Sequence, residues 1–239
     1  MGLQTYFIAI VIAFVAAFVS GSTAVGGAAL MTFTLTVLIG GEYTVPVLTI
    51  VMLFANLTRA ISGFKEIDWK SVRLFLVTSL PLSLLGALGF TLLSQKIVNK
   101  ILGVAIIMFV IIKHVKFKNL KANNTTILST GAISGFLSGF VGSSGPISAA
   151  LFFSLGLSPV AYVASEAAAV SVLHIAKLLV YNSMMNINFE FWIFSIVIGG
   201  VMLIGTVVAN KFINKLNPKK FETYVSVMMI IMGIYMILN

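Results

Sequence analysis

The chain contains no cysteine. That excludes disulfides, thiol nucleophiles and metal sites built on thiolate. Charge is the next shortage: Asp, Glu, Lys and Arg make up 9% of the 239 residues, against about 25% in an ordinary soluble domain. So few charges cannot cover a water-facing surface. What stands in their place is apolar, 59% of the chain at a mean hydropathy of +1.11, in runs that return at short intervals from end to end. Such runs describe a polytopic helical membrane protein. They do not alternate with a period of two, as the strands of a membrane β-barrel would. No stretch is polar enough to form a separate soluble domain. Acidic residues are scarcer than basic ones, 6 against 15, for a net charge of +9. The basic residues sit in short loops with no aromatic–basic patch, so they speak for membrane orientation and not for nucleic acid. Two histidines far apart offer no metal-ligand spacing, and no G-x-x-x-x-G-K loop is present. No cofactor is expected. The opening MGLQTYFIAIVIAFVAAF lacks the basic n-region of a cleaved signal peptide and reads as part of the mature fold. Tyr6 stands where a myristoylation motif needs Ser or Thr.

The apolar runs predict ten helical segments: about 3–20, 27–39, 45–62, 72–93, 98–112, 127–141, after a break a seventh that ends at 157, then 161–181, 191–212 and 221–238. About 20 residues cross a hydrocarbon core of about 30 Å; the second, sixth and seventh segments fall short of that. The first two and the next such pair read as there-and-back breaks. With the linker after the fifth segment placed in the cytoplasm, the inside loops hold three groups of basic residues. These are Lys65, Lys70 and Arg73; Lys113, Lys116, Lys118 and Lys121; and Lys211, Lys215, Lys219 and Lys220. They are eleven of the 15 basic residues. Lys96 and Lys100 lie outside, and Arg59 and Lys177 lie within segments. Both termini then face outside, which the positive-inside rule prefers over a model with each broken pair as one span. The protein is expected in a prokaryotic cytoplasmic membrane.

Two glycine-rich stretches, "FVSGSTAVGG" at 18–27 and "FLSGFVGSSG" at 136–145, align at an offset of 118. At that offset Asn56 falls on His174 and Arg59 on Lys177. The expected architecture is all-α. Residues 1–112 form a first membrane repeat, 113–126 a basic cytoplasmic linker and 127–239 a second repeat. Each repeat has five segments, of which the first two are short or broken, and the odd number inverts the second repeat. Substrate in such folds lies near the midplane at the repeat interface.

Non-helical backbone inside a bilayer must be buried or line a cavity. The helix resuming after each break presents free N–H groups and the positive end of its dipole, as an anion site requires. Ser22, Thr23, Gly26 and Gly27 in the first repeat, and Ser143, Ser144 and Gly145 in the second, are the candidate donors, with Ser148 beside them. Small residues equally allow close helix packing, and the two readings are compatible. Arg59 and Lys177 would attract an anion, or snorkel from their segment ends. Glu166, Val170, His174 and Lys177 share one helix face. Glu166 and His174 are coupling candidates for protons, or belong to a Glu166–Lys177 network that holds the helix. Asn56 is a polar partner from the other repeat.

The motifs "SGSTAVGGAALMTF" and "SGFVGSSGPISAALFFSLGLSP", in the duplicated arrangement above, resemble the sulfite exporter TauE/SafE family of membrane permeases over essentially the whole chain. The resemblance implies transport of a small sulfur-containing anion such as sulfite, thiosulfate or a sulfonate. The first motif departs from the family's glycine-richer pattern at Ser22-Thr23-Ala24. The expected partners are that anion and the lipid bilayer; the oligomeric state, a homo-oligomer included, stays open. The rival readings are an anion channel of the same fold and a rhomboid-like serine protease. The protease would use Ser144, in the G-x-S-G pattern at Gly142, and His174. A counterpart of the motif in the first repeat, with Gly26 for Ser144 and Asn56 for His174, argues against it. The chain is expected not to be an enzyme.

Overall fold

The computed structural model describes residues 2–23, 26–114, 123–185, 187–212 and 218–238. Among these residues ten α-helices follow one another: α1 (Leu3–Thr23), α2 (Gly26–Ile39), α3 (Gly41–Ser62), α4 (Trp69–Thr91), α5 (Gln95–His114), α6 (Asn124–Val141), α7 (Gly145–Ser154), α8 (Pro159–Met184), α9 (Phe189–Phe212) and α10 (Pro218–Leu238). No strand occurs among the described residues. The basic stretch 115–122 lies outside the described residues. Helix starts are set by polar caps. The Asp68 carboxylate accepts from Lys70 N and from Ser71 Oγ and opens α4. Asn123 accepts from Thr126 N and opens α6, and Ser158 accepts from Ala161 N ahead of α8, with Pro159 in the first turn. Each cap satisfies an N–H that the helix itself leaves over.

Among the described residues four helices, 41–62, 69–91, 159–184 and 189–208, are long and apolar enough to cross a membrane. Large apolar side chains such as Phe7, Val77, Leu85, Phe153 and Ile231 are exposed, a surface that suits lipid and not water.

The chain divides into two compact units. The first comprises Met1–Phe54, Leu93–His114 and Ile187–Asn239. In it α1 runs along α9, α5 along α10, and α2 fits against α1 and α10. Helices α5 and α10 cross at paired glycines: a Cβ on Gly103 would lie 2.6 Å from the Gly233 carbonyl oxygen, and one on Gly233 would lie 2.8 Å from that of Gly103. Tyr43 stacks on Phe191 with ring centres 4.3 Å apart. Thr32, Thr34, Thr36, Thr44 and Thr49 each return their hydroxyl to the carbonyl four residues earlier, so the interior of α2 and α3 holds hydroxyls without leaving them unpaired.

The second unit comprises Ala55–Leu92 and Val115–Asn186. Its spine is α4 laid along α6, with α8 against both. Gly131, Gly135 and Gly139 recur every fourth residue and so share one face of α6. Opposite them stand Phe75, Ser79 and Ser83 of α4. A Cβ on Gly135 would fall 2.5 Å from the Ser79 Cα, a distance at which backbone would have to move. This is the small-residue contact by which helices touch in a bilayer. Beside it Phe75, Phe152, Leu151, Leu173 and the Ala167–Ala169 run of α8 make a buried apolar cluster.

Adding bulk to a backbone-on-backbone contact costs at least the upper end of the ~1–3 kcal/mol typical of overpacking. Gly135→Val is therefore expected to lower the melting temperature of the detergent-purified protein sharply. Gly200→Ala, where a Cβ meets nothing within 4 Å, should leave it unchanged or slightly raised, helix propensity favouring Ala.

Candidate functional site

The second unit buries an unusual set of polar groups. Helix α6 stops in its interior: Gly142 takes φ +85°, a left-handed turn that favours glycine, and α7 restarts at Gly145. An α-helix leaves its last carbonyls without internal donors. Here α8 supplies them. The Lys177 ammonium, 0% exposed, donates to Ser138 O at 2.9 Å, Ser138 Oγ at 3.0 Å and Gly142 O at 3.2 Å. One turn on, the Tyr181 hydroxyl donates to Gly139 O at 2.6 Å. All three ammonium protons thus serve the α6 end. The snorkelling reading of Lys177 does not hold, because the group is sealed inside. Its expected network with Glu166 is replaced by separate partners: Glu166, 7% exposed, accepts from Ser148 Oγ at 2.8 Å.

The start of α7 offers less to an anion than the sequence suggests. Pro146 has no N–H. Ile147 N and Ser148 N both donate to Ser144 O, at 2.9 and 3.1 Å. Gly145 N keeps a long bond of 3.4 Å to Ser143 Oγ. The Ser144 hydroxyl is buried and accepts from Ser134 Oγ at 2.7 Å. In the first-repeat break, Gly27 is buried in the first turn of α2. Ser22, Thr23 and Gly26 lie on helical backbone, and their side chains are outside the described residues.

The strongest constellation lies at the end of α3. The Arg59 guanidinium donates to Asn56 Oδ1. Asn56 Nδ2 lies 3.2 Å from His174 Nε2. Asn56 is 4% and His174 2% exposed. The two residues equated by the 118-residue offset are therefore in contact with one another. Ser144 and His174 make no hydrogen bond to each other: Ser144 pairs with Ser134, and the Nε2 of His174 with Asn56. The dyad that a rhomboid-like protease needs is not formed.

Asn56, Arg59 and His174 are each candidates from the sequence, and the structure joins them in one hydrogen-bonded chain; Ser134 and Tyr181 are not among the candidates from the sequence. Tyr181 was within reach: it extends the Glu166–Val170–His174–Lys177 face by one more turn. Ser134 carried no such signal. Among the described residues no group of His, Asp and Glu is placed to hold a metal ion.

Removing the Lys177 cap should loosen the α6 end before it unfolds the unit. Lys177→Met is expected to raise deuterium uptake in peptides covering 138–145, with α5 peptides unchanged. Tyr181→Phe, losing one neutral hydrogen bond worth about 1 kcal/mol, should do so more weakly.

A family model described as sulfite exporter TauE/SafE matches residues 9–236. No curated protein and no solved structure matches the chain. The match spans nearly every helix, including both glycine breaks and all the buried polar groups of the second unit. This chain belongs to the TauE/SafE sulfite exporter family of membrane permeases.

Proposed function

We propose that the protein is a secondary transporter that carries a small sulfur-containing anion, of the sulfite, thiosulfate or sulfonate class, across the cytoplasmic membrane. The observation that carries this is the charge of the second unit's interior. Arg59 of α3 is part-buried and Lys177 of α8 fully buried, two cations against Glu166, the one buried carboxylate among the described residues. In a low-dielectric interior such an excess attracts an anion. Lys177 contributes its field from the α6 end, Arg59 contributes through Asn56, and Ser143, Ser144 and Gly145 supply further donors at the break. Glu166 is the proton carrier of the pair of coupling candidates, since His174 belongs to the binding chain.

Two inverted repeats underlie this arrangement. The first residues of α3 and α8 are 118 positions apart and those of α4 and α9 are 120 apart. The fourth helix of each repeat packs on the first helix of the other, α4 on α6 and α9 on α1. Contact between the matched residues Asn56 and His174 is what a pseudo-two-fold axis passing between them would give.

Purified protein in proteoliposomes should take up ³⁵S-sulfite saturably, with thiosulfate and sulfoacetate competing and chloride not. Flux that fails to saturate would favour the channel. Loss of a charge-assisted contact of about 1.5–3 kcal/mol should raise the KM of Arg59→Ala tenfold or more. Glu166→Gln should abolish acceleration by an imposed pH gradient; acceleration that survives it would remove Glu166 from the coupling. The absence of native cysteine makes the orientation directly measurable. A membrane-impermeant maleimide is expected to label Ser94→Cys on intact cells and to spare Lys65→Cys.

A further inference from the structure

Arg59, Asn56 and His174 form a chain whose hydrogen-bond directions are fixed from one end. A guanidinium can only donate. Arg59 therefore holds the Asn56 carbonyl oxygen towards itself and turns the amide nitrogen to His174. The amide nitrogen can only donate as well. His174 Nε2 must accept, so a neutral imidazole here carries its proton on Nδ1. Among the described residues Nδ1 has no hydrogen-bond partner, although it is buried. An unpaired donor at such depth costs about as much as a lost hydrogen bond, and native interiors seldom keep one without use.

On this basis we infer that His174 is a neutral, tautomer-locked donor whose Nδ1–H receives an oxygen of the transported anion, with Asn56 and Arg59 as positioning residues. The inference rests on the anion-transport reading and gives the site its selectivity. A locked donor pairs with an oxygen that has a free lone pair, and it rejects a ligand that offers only N–H or O–H at that point. It also takes His174 out of the proton path, because protonating Nε2 would set it against the Asn56 amide.

The chain has two histidines, so the His114→Gln protein labelled with [¹⁵N]histidine reports His174 alone. Long-range ¹H–¹⁵N spectra in detergent at pH 7.5 are expected to show one neutral tautomer. The nitrogen coupled to both Hδ2 and Hε1 should be unprotonated, and the other should carry the proton. Asn56→Asp, whose carboxylate accepts, should move the proton to Nε2. Titration with sulfite should shift the Nδ1 resonance, and an organic ammonium salt should not. Asparagine places an N–H near the position of Nδ1, glutamine near that of Nε2. His174→Asn should therefore keep sulfite affinity within about tenfold, and His174→Gln should lose about ten- to a hundredfold, the worth of one hydrogen bond to a charged group. An imidazolium or an Nε2–H tautomer in the otherwise native protein overturns the locked donor. A locked Nδ1–H that no oxyanion moves overturns the recognition role, and a bound water is then its partner. The spectra do not depend on flux. Failed uptake with the expected tautomer and shift refutes the transporter, while saturable uptake with the wrong tautomer refutes only this assignment.

Discussion

The second unit is organised around a helix end that has no water to turn to. Helix α6 ends at Val141, inside the unit, and its last carbonyls need donors that lipid cannot provide. Leaving a buried carbonyl unpaired costs about 1–3 kcal/mol, and α6 exposes several. Lys177 and Tyr181 meet that demand from a neighbouring helix. Burying an ammonium is itself expensive, and three acceptors at 2.9–3.2 Å make the cost tolerable. The break in α6 and the cation in α8 are thus conditions of each other. Once α8 is tied to that end, its face also places His174 at Asn56 and Glu166 at Ser148.

The same constraint divides labour within "FLSGFVGSSG". Gly139 brings α6 onto α4. Gly142 makes the left-handed exit. Gly145 begins α7, where its N–H is the one only loosely engaged. Helix packing, the left-handed exit and the restart of the helix are therefore separate tasks given to separate glycines. A similar division separates the two basic residues. Arg59 and Lys177 match in the sequence repeat, yet one holds a helix end with all its protons and the other faces an amide that leads to an imidazole. A cation that already holds three acceptors acts on a ligand through its field. A cation that polarises a hydrogen-bonded chain acts through direction as well.

The fold was largely legible because membrane helices are apolar over their whole circumference. Run length alone placed ten helices, each within a few residues. The differences at the helix starts share a cause. An apolar run begins at its first apolar residue, whereas Asp68, Asn123 and Ser158 start their helices earlier. The seventh segment ends sooner than its apolar run because Gly156 takes φ +70°. The site was legible where repeat and helical period agree: offset 118 paired Asn56 with His174, and spacings of four, four and three put His174 and Lys177 on one face. Lys177's partner was not legible. It is a backbone carbonyl 39 positions away, and backbone acceptors carry no sequence signature. Ser134 was invisible for a related reason: a serine in a small-residue helix looks like packing until its neighbour is known.

A transporter must release what it binds, and the composition of the buried cluster bears on that. Two cations and a locked donor alone would make a deep well. Conduction and exchange both need binding strong enough for entry yet weak enough for exit. Glu166 supplies the opposing charge on the same helix face, and Ser148 keeps its carboxylate hydrogen-bonded beside the start of α7. At an effective dielectric of about 20, charges several ångströms apart still interact by a few kcal/mol, comparable to the binding energy of a micromolar ligand divided among its contacts. A protonated Glu166 would deepen the well and an ionised one would make it shallower. In the proposed mechanism the proton and the anion are coupled through one electrostatic balance, with no need for a hydrogen-bonded path between them. On the inferred tautomer of His174, Glu166 is the group whose charge would set that balance.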